Sequence, residues 1–140
     1  MVKTILIPID FQTASLHTLK VVLENNTNTP IRVVLMYAEY LSDSISDLLF
    51  YSHTKVITAL NTPEFQEALE ILKNRFEASL EKMEIKIFHG VNTNALNNFC
   101  KANNIEAIYV PKMYKLKTPN QAFNPIPLLR KTTLPFTEVE

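Results

Sequence analysis

Six residues at the ends of two apolar runs are the candidates for a ligand site: Pro8, Ile9, Asp10, Lys112, Tyr114 and Lys115. A carboxylate such as Asp10, placed where a buried strand ends, can accept hydrogen bonds from the hydroxyl groups of a ligand. It can equally cap the turn that follows, before Thr13. Lys112, Lys115 and the nearby Lys117 could bind an anion together with Tyr114, or they could form a solvated loop, which is the commoner role of a charge run.

The other reactive side chains form no recognisable catalytic or metal-binding motif. His17, His53 and His89 are too scattered to match a known spacing of metal ligands, and surface or capping roles are the usual ones for such histidines. Cys100 lies on the apolar face of a predicted helix, so we expect a buried structural thiol. Because the sequence shows no nucleophile–base pair and no paired carboxylates, it predicts a protein that is not an enzyme.

The composition narrows the class of protein further. The chain has 140 residues, with 14 basic and 14 acidic side chains and one cysteine. A formal net charge of zero gives no overall field to attract nucleic acid or an anionic membrane. The amino terminus does not read as a signal peptide, and no apolar run is long enough for a membrane span. We therefore expect one soluble, cytoplasmic domain over residues 1–140.

The elements that must hold the candidate residues alternate between strand and helix. The predicted strands are Thr4–Ile9, Ile31–Tyr37, Ile85–Phe88, Ile105–Val110 and Leu134–Val139. Helical spacing of apolar residues predicts four helices. The first begins near Ala14 after a capping Thr13, and the second runs from Pro63 to Met83 after a capping Thr62. The third runs from a cap at Asn92 or Thr93 to Asn103–Asn104, and the fourth runs from Ile126 to Lys131. This alternation implies right-handed crossovers and a parallel sheet, hence an α/β fold.

Two segments, 39–61 and 111–127, have no clear period. In the first, Ser42 or Ser44 is expected to cap a short helix, with a further helical turn from Lys55 to Leu60. The apolar cluster Leu48–Tyr51 is expected to pack over the sheet edge, with a lid over the cleft or a partner interface as alternatives.

Two stretches of the sequence resemble the universal stress protein family. VKTILIPIDFQTASLHTLKVVLE is similar to the opening of that family, in which a strand ends in proline and aspartate before a Ser/Ala-rich turn. FHGVNTNALNNFCKANNIEAIYV is similar to a later signature, in which a strand ends in glycine, a capped helix follows and a further strand begins. The resemblance covers essentially the whole chain, and the order of strands and helices agrees with it throughout.

The resemblance implies an open, Rossmann-like five-stranded sheet of the adenine nucleotide alpha hydrolase-like type. The implied strand order is 3-2-1-4-5, with helices on both faces, and a homodimer would pair through the last strand near Leu134–Val139. In ATP-binding members the nucleotide lies at the carboxyl ends of the first and fourth strands. Asp10 matches the aspartate that meets adenine and ribose, and a G-x2-G-x9-G-[ST] loop after the fourth strand holds the phosphates.

The sequence departs from the family at that loop. Counted on from Tyr109-Val110, the three glycine positions fall on Pro111, Tyr114 and Asn124, and the hydroxyl position falls on Pro125. Proline has no N–H to offer a phosphate, and tyrosine blocks close approach of the backbone. We therefore expect no ATP cofactor and a non-catalytic stress-response or regulatory protein that acts through protein contacts. The alternative is a binder of a nucleotide or anionic metabolite, held by Asp10, Lys112 and Lys115 in a remodelled pocket.

Overall fold

The computed structural model describes residues 2–41, 49 and 51–140 of the 140-residue chain. The predicted helix start at Ser42 or Ser44 lies outside these residues, and so do Leu48 and Phe50 of the predicted apolar cluster. In the described part of the chain, no helix is long and apolar enough to cross a lipid bilayer.

Strands and helices alternate along the described chain, as the sequence predicts. The strands are β1 (Lys3–Pro8), β2 (Ile31–Ala38), β3 (Leu80–Phe88), β4 (Ala107–Pro111) and β5 (Phe136–Val139). The helices are α1 (His17–Glu24), which follows a 3-10 turn at Thr13–Leu16, then α2 (His53–Leu60), α3 (Pro63–Arg75), α4 (Thr93–Ala102) and α5 (Ile126–Leu129). The helical turn predicted from Lys55 to Leu60 is confirmed as part of α2.

The five strands form one parallel sheet in the order β3-β2-β1-β4-β5. In the middle of this sheet, Ile5 of β1 stands between Val33 of β2 and Ala107 of β4. The order reverses beside β1, because the chain moves to β2 on one side and later crosses from β3 to β4 on the other. The α/β class and the strand order 3-2-1-4-5 are therefore confirmed. A reversal of this kind leaves a crevice at the carboxyl ends of the two central strands.

Each face of the sheet buries its own core. On one face, Leu19 and Leu23 of α1 and Phe65 and Leu69 of α3 pack against the strands. On the other face, α4 and α5 supply buried residues that include Cys100, which is 5% exposed. Helices thus cover both faces, and Cys100 is a buried thiol as predicted. Burial raises the pKa of this thiol to about 11, which keeps it protonated and unreactive near neutral pH.

Helix starts follow the predicted caps in two cases and differ in a third. The Thr62 hydroxyl accepts a hydrogen bond from the Phe65 N–H at 3.2 Å, and the Asn92 side chain accepts from the Ala95 N–H at 2.9 Å. Thr13, by contrast, does not cap: Gln12 precedes the 3-10 turn and no side chain caps it. The Ser15 hydroxyl instead donates to the Gln12 carbonyl at 2.8 Å, which ties this turn together internally.

The boundary between α3 and β3 lies earlier than predicted. The sequence predicts a helix to Met83 and a strand from Ile85, whereas α3 ends at Arg75 and β3 begins at Leu80. Apolar residues at Leu80 and Met83 fit the helical spacing of α3, but charged residues alternate with apolar ones from Met83 onward, which is the period of a strand. Pairing with the whole length of β2 decides in favour of the strand.

The strand β4 begins at Ala107, two positions after the predicted Ile105. The chain leaves α4 through Asn104, whose φ of 56° is left-handed, and the Ile105 N–H donates to the Cys100 carbonyl at 2.9 Å. Ile105 therefore belongs to the closing turn of α4, as is common where asparagine ends a helix. The strand β5 likewise begins at Phe136 rather than at the predicted Leu134.

Candidate functional site

The carboxyl ends of β1 and β4 meet at the crevice where the strand order reverses. Asp10 follows β1 and is 4% exposed, although it carries a carboxylate. One of its oxygens, Oδ1, accepts a hydrogen bond from the Gln12 N–H at 2.9 Å, so Asp10 does cap the turn that follows β1. The other oxygen, Oδ2, faces the segment that follows β4. A buried carboxylate needs such partners, because its desolvation would otherwise be costly.

Residues of the segment after β4 satisfy the second oxygen of Asp10. The Tyr114 hydroxyl donates to Oδ2 at 2.5 Å, and the Lys117 N–H donates to the same oxygen at 2.8 Å. Burial, reinforced by the hydrogen bond to Asp10, raises the pKa of the Tyr114 phenol above its usual value. The phenol therefore remains a proton donor to Asp10 throughout the physiological range of pH.

The backbone directly after Asp10 is in an unusual conformation. Phe11 has a φ of 62°, in the left-handed region that bulky side chains rarely adopt. Its ring is buried and packs against Tyr37 and Phe65, with ring centroids 5.0 and 5.3 Å away. These aromatic contacts offset the strain and fix the direction in which the chain turns away from Asp10.

The segment 112–125, which we call the plug, crosses from β4 over the end of β1 to the end of β2. Its far end pairs with the end of β2 and the residues just after it: the Tyr40 N–H donates to the Gln121 carbonyl at 2.8 Å, and the Phe123 N–H donates to the Ala38 carbonyl at 3.1 Å. The rings of Tyr40 and Phe123 stack with their centroids 4.7 Å apart. The plug is thus held at Asp10 and at β2, on both sides of the crevice.

The structure shows no contact between Asp10 and the ammonium group of Lys112 or Lys115, whereas the backbone of Lys117 does reach it. The Lys112 ammonium forms an ion pair with the Glu140 carboxylate at 3.0 Å, and the Lys112 N–H donates to the Val139 carbonyl at 2.8 Å. Lys115 is exposed to solvent. Pro8 and Ile9 are buried in the sheet, and the Ile9 N–H donates to the Met36 carbonyl at 2.9 Å. Of the six candidate residues, only Asp10 and Tyr114 form a direct polar contact, and a ligand role for the six stays a prediction.

Each position where the family has glycine or a hydroxyl residue carries a structural contact here. Pro111 ends β4 opposite Val139 of β5. Tyr114 binds Asp10, and the Asn124 side chain accepts a hydrogen bond from the Ile126 N–H at 3.0 Å. Pro125 directly precedes α5. At these four positions, the residues present thus serve the chain's own strand, loop and helix.

A second polar cluster lies beside the plug, at the ends of β2 and β3. The Glu39 carboxylate oxygen Oε1 and the Tyr51 hydroxyl each lie 3.0 Å from Nε2 of His89. Burial and the neighbouring Glu39 carboxylate raise the pKa of Tyr51 to about 12. Sequence reasoning did not find this cluster. Glu39 and His89 each directly follow one of two neighbouring parallel strands, which is the signal that could have found it.

His17 and His53, the remaining candidate histidines, each contact another residue of the chain. In the regions that the structure describes, no three His, Cys, Asp or Glu side chains are placed to hold a metal ion. His17 begins α1, and its Nε2 lies 3.0 Å from the main-chain oxygen of Glu140. His53 stacks edge-on against Tyr51, with ring centroids 5.2 Å apart.

A cavity of about 760 Å³ lies at the opposite end of the sheet, where the strands begin. Its lining includes Thr4, Arg32 and Glu106. The Glu106 carboxylate accepts from the Thr4 N–H at 3.1 Å, and Arg32 forms an ion pair with Glu81 at 2.6 Å. Glu106 and Arg32 thus both have partners within the chain, and ligands of parallel sheets collect at the other end of the strands. The crevice at Asp10 is therefore the better candidate site.

The parallel sheet with its central reversal and its two helical layers defines a doubly wound α/β protein, with Asp10 at the reversal point. Among solved structures, the fold is that of the universal stress proteins. The chain is similar to the universal stress protein UspA from Lactobacillus plantarum, with 11% sequence identity and a TM-score of 0.60 over 98% of this chain and 95% of that one.

Two further solved structures agree with this fold. A universal stress protein family structure from Burkholderia pseudomallei is 13% identical, with a TM-score of 0.56 over 98% of this chain and 95% of that one. A universal stress protein in complex with cAMP is 15% identical, with a TM-score of 0.54 over 99% of this chain and 97% of that one. No protein-family model and no curated protein sequence matches the chain.

Proposed function

We propose that this protein is a non-catalytic stress-response or regulatory protein that holds no ATP and acts through protein contacts. The proposal rests on one observation: both carboxylate oxygens of Asp10 already accept hydrogen bonds from other residues of the chain. Tyr114 and Lys117 both donate to Oδ2, and Gln12 donates to Oδ1. A ribose hydroxyl would have to displace Tyr114 from a buried carboxylate before it could bind there.

The phosphate side of a nucleotide would meet a second obstacle. Backbone amides hold phosphate only when several of them point at one place and have no other partner. The Lys112 N–H is used by β5, the Lys117 N–H by Asp10 and the Ile126 N–H by Asn124. Pro111 and Pro125 have no N–H to give. These contacts support the proposal that the segment after β4 does not hold phosphate.

The alternative is a small-ligand binder with a remodelled pocket. The observation that favours it is the similar structure of a universal stress protein in complex with cAMP. That function would need the plug to leave Asp10 and the Lys112 ammonium to leave Glu140. In the structure, the Tyr114 hydroxyl of the plug is hydrogen-bonded to Asp10, and the Lys112 ammonium is paired with the Glu140 carboxylate. The closed geometry therefore favours the protein-contact function over the ligand-binding one.

The test is the nucleotide content and nucleotide affinity of the purified protein. We expect the supernatant of denatured protein to contain no stoichiometric ATP or AMP, and calorimetric titration with ATP, AMP and cAMP to give no binding heat at about 100 μM protein, a concentration that would reveal micromolar affinity. The plug variant Tyr114→Ala serves as the matched comparison. Nucleotide released by the wild-type protein, or bound by it in titration, would overturn the proposal.

The protein contacts include, in our proposal, a homodimer through β5. This strand is one edge of the sheet. The Pro135 carbonyl accepts from the Ile108 N–H of β4, and the Val139 carbonyl accepts from the Lys112 N–H just after β4, both at 2.8 Å. The backbone N–H and C=O groups of successive residues point alternately to the two sides of a strand. Those of Phe136 and Glu138 therefore point to the open edge. The other edge, β3, carries Lys82, Glu84 and Lys86 in one ion-paired row, which discourages pairing with a second chain.

A further inference from the structure

Exposed apolar side chains gather at the carboxyl end of the sheet, on both sides of the plug. Four large ones follow the ends of β3, β2 and β4, and about half or more of each is exposed: Val91 (64%), Tyr40 (51%), Leu41 (46%) and Met113 (79%). The strand between β2 and β4 is β1, whose end the plug crosses. Single exposed apolar residues are ordinary, but several at one end of a sheet mark a contact surface.

The charges exposed beside these side chains are positive. Lys115 and Lys117 of the plug are exposed, and neither forms an ion pair with any residue that the structure describes. In the described segments after β1 to β4, the two carboxylates are already engaged: Asp10 is buried and hydrogen-bonded, and Glu39 is paired with His89. We call the four apolar side chains together with these two lysines the plug face.

This combination of charge and apolar surface narrows the class of partner. Two copies of the chain that met through the plug face would oppose lysine with lysine, which is repulsive. Lipid-binding surfaces carry about 4–8 clustered basic side chains, many more than the plug face offers. Nucleic acid would need a broader basic surface, and the chain has no net charge to attract it. A protein segment that carries carboxylates beside apolar side chains matches both features.

The spacing of the strands sets the scale of the matching segment. Neighbouring strands lie about 4.8 Å apart, so the ends of β2 and β4, on either side of β1, are roughly 10 Å apart. Tyr40 follows one of these ends and Met113 the other. The Lys117 N–H binds Asp10 just after β1, so this lysine lies between them. The surface therefore runs from apolar through basic to apolar.

A helix presents the complementary pattern on one face. Residues i and i+7 of a helix lie about 10.5 Å apart on the same side, with i+3 and i+4 between them. A strand reaches the same distance at i+3, but that residue points to the opposite side. We propose that the plug face binds an acidic helix of a partner protein, with apolar residues at i and i+7 against Tyr40 and Met113 and carboxylates at i+3 and i+4 against Lys115 and Lys117.

This inference deepens the proposed function and rests on it, because it names the class of partner for a protein that acts through protein contacts. The plug has two parts in it. Its Tyr114 hydroxyl and its Lys117 N–H engage Asp10, while Met113 and the two lysine side chains remain exposed on the outer surface. The plug-face contact is also separate from the proposed dimer, which uses the edge of β5.

The experiment is a nuclear magnetic resonance titration of the full 15N-labelled chain with a synthetic peptide. The peptide is an alanine-based helix of about 20 residues, long enough to be helical, with leucine at i and i+7 and glutamate at i+3 and i+4. We expect amide shifts at 40–41, 91 and 113–117, and a Kd below about 1 mM. A matched peptide with glutamine in place of both glutamates should bind roughly threefold to tenfold more weakly, as suits exposed ion pairs.

Two charge variants of the chain locate the contact. The double variant Lys115→Gln/Lys117→Gln keeps the backbone N–H that binds Asp10, and it should bind the glutamate peptide no better than the glutamine peptide. The control Lys101→Gln/Lys131→Gln removes the same charge from exposed positions at the end of α4 and after α5, and it should bind as the wild type does. Met113→Ser should weaken the binding of both peptides.

Absence of shifts at the plug face, or equal affinity for the two peptides, would overturn the proposal. Lysine-dependent binding to vesicles of phosphatidylglycerol and phosphatidylcholine, without peptide binding, would overturn it in favour of a membrane. Plug-face shifts that depend on protein concentration alone would overturn it in favour of a second copy. These results are separate from those on the proposed function: nucleotide binding by the wild-type protein would overturn that function, whereas a failed peptide titration would leave a plugged, nucleotide-free protein in place.

Discussion

The Tyr114 hydroxyl donates a hydrogen bond to Oδ2 of Asp10, across 104 positions of sequence. One partner follows the first strand and the other follows the fourth, and these strands are neighbours at the centre of the sheet. In an α/β sheet of this kind, a ligand would ordinarily bridge the two loops at this point. Here a side chain of the protein bridges them, and the first two predictions follow from that bond.

Replacing Tyr114 by Phe removes the hydroxyl and keeps the ring. Oδ2 of the buried Asp10 then retains the Lys117 N–H but loses its shortest partner, so we expect the free energy of unfolding to fall by about 1–3 kcal/mol. Urea denaturation at neutral pH measures this. Tyr40→Phe is the matched control, because Tyr40 is half exposed and its ring stacking is retained. Equal stability of the two variants would show that the bond to Asp10 contributes nothing.

The same bond predicts an alkaline loss of stability. The folded-state pKa of Tyr114 is raised above the unfolded value of about 10, so its stabilising contribution is fully present below about pH 10 and is lost as the pH rises further. Between about pH 9 and about pH 11, wild-type stability should fall more steeply than that of Tyr114→Phe. Tyr37 and Tyr51 have raised pKa values in both proteins, so the difference between the two slopes isolates Tyr114. Parallel slopes would contradict the prediction.

The proposed dimer edge can be tested at Glu138. Glu138→Pro removes an N–H from the open side of β5, where a second chain would pair, and we expect light scattering to show a monomer at micromolar concentration. Glu138→Ala removes the ion pair with Arg130 but keeps the N–H, and it should remain dimeric. A dimer in both variants would place the interface elsewhere.

Gly90, the one glycine of the chain, is needed for packing. A Cβ at this position would overlap that of Ala95 and would lie 2.7 Å from a ring carbon of Phe88. Neither α4 nor the core ring can move away freely, so Gly90→Ala should lower the free energy of unfolding by about 1–3 kcal/mol. Val91→Ala, at a neighbouring and largely exposed position, should change it by less than about 0.5 kcal/mol. Thermal unfolding of the two variants compares them directly.

The succession of strands and helices along the chain and the Asp10 turn could be predicted from local signals, namely apolar runs and turn residues. The strand order within the sheet was predicted from the resemblance to universal stress proteins. The contact of Tyr114 with Asp10 could not, since it depends on the path of a segment that has no period. The length of α3 was predicted wrongly because Leu80 and Met83 fit a helix as well as a strand, and only pairing with β2 decides between them. The Glu39–His89 pair required knowing that β2 and β3 are neighbours.

The way the plug is built has a consequence for how such a chain could change over generations. Placing glycine at Pro111, Tyr114 and Asn124 and a hydroxyl residue at Pro125 would remove the bond to Asp10, and the added backbone freedom of the unfolded chain would cost roughly 2–4 kcal/mol in all. Each single replacement would lower stability, whereas a phosphate-binding loop of the pattern G-x2-G-x9-G-[ST] needs all four positions. Selection for stability alone would therefore preserve the bond between Tyr114 and Asp10.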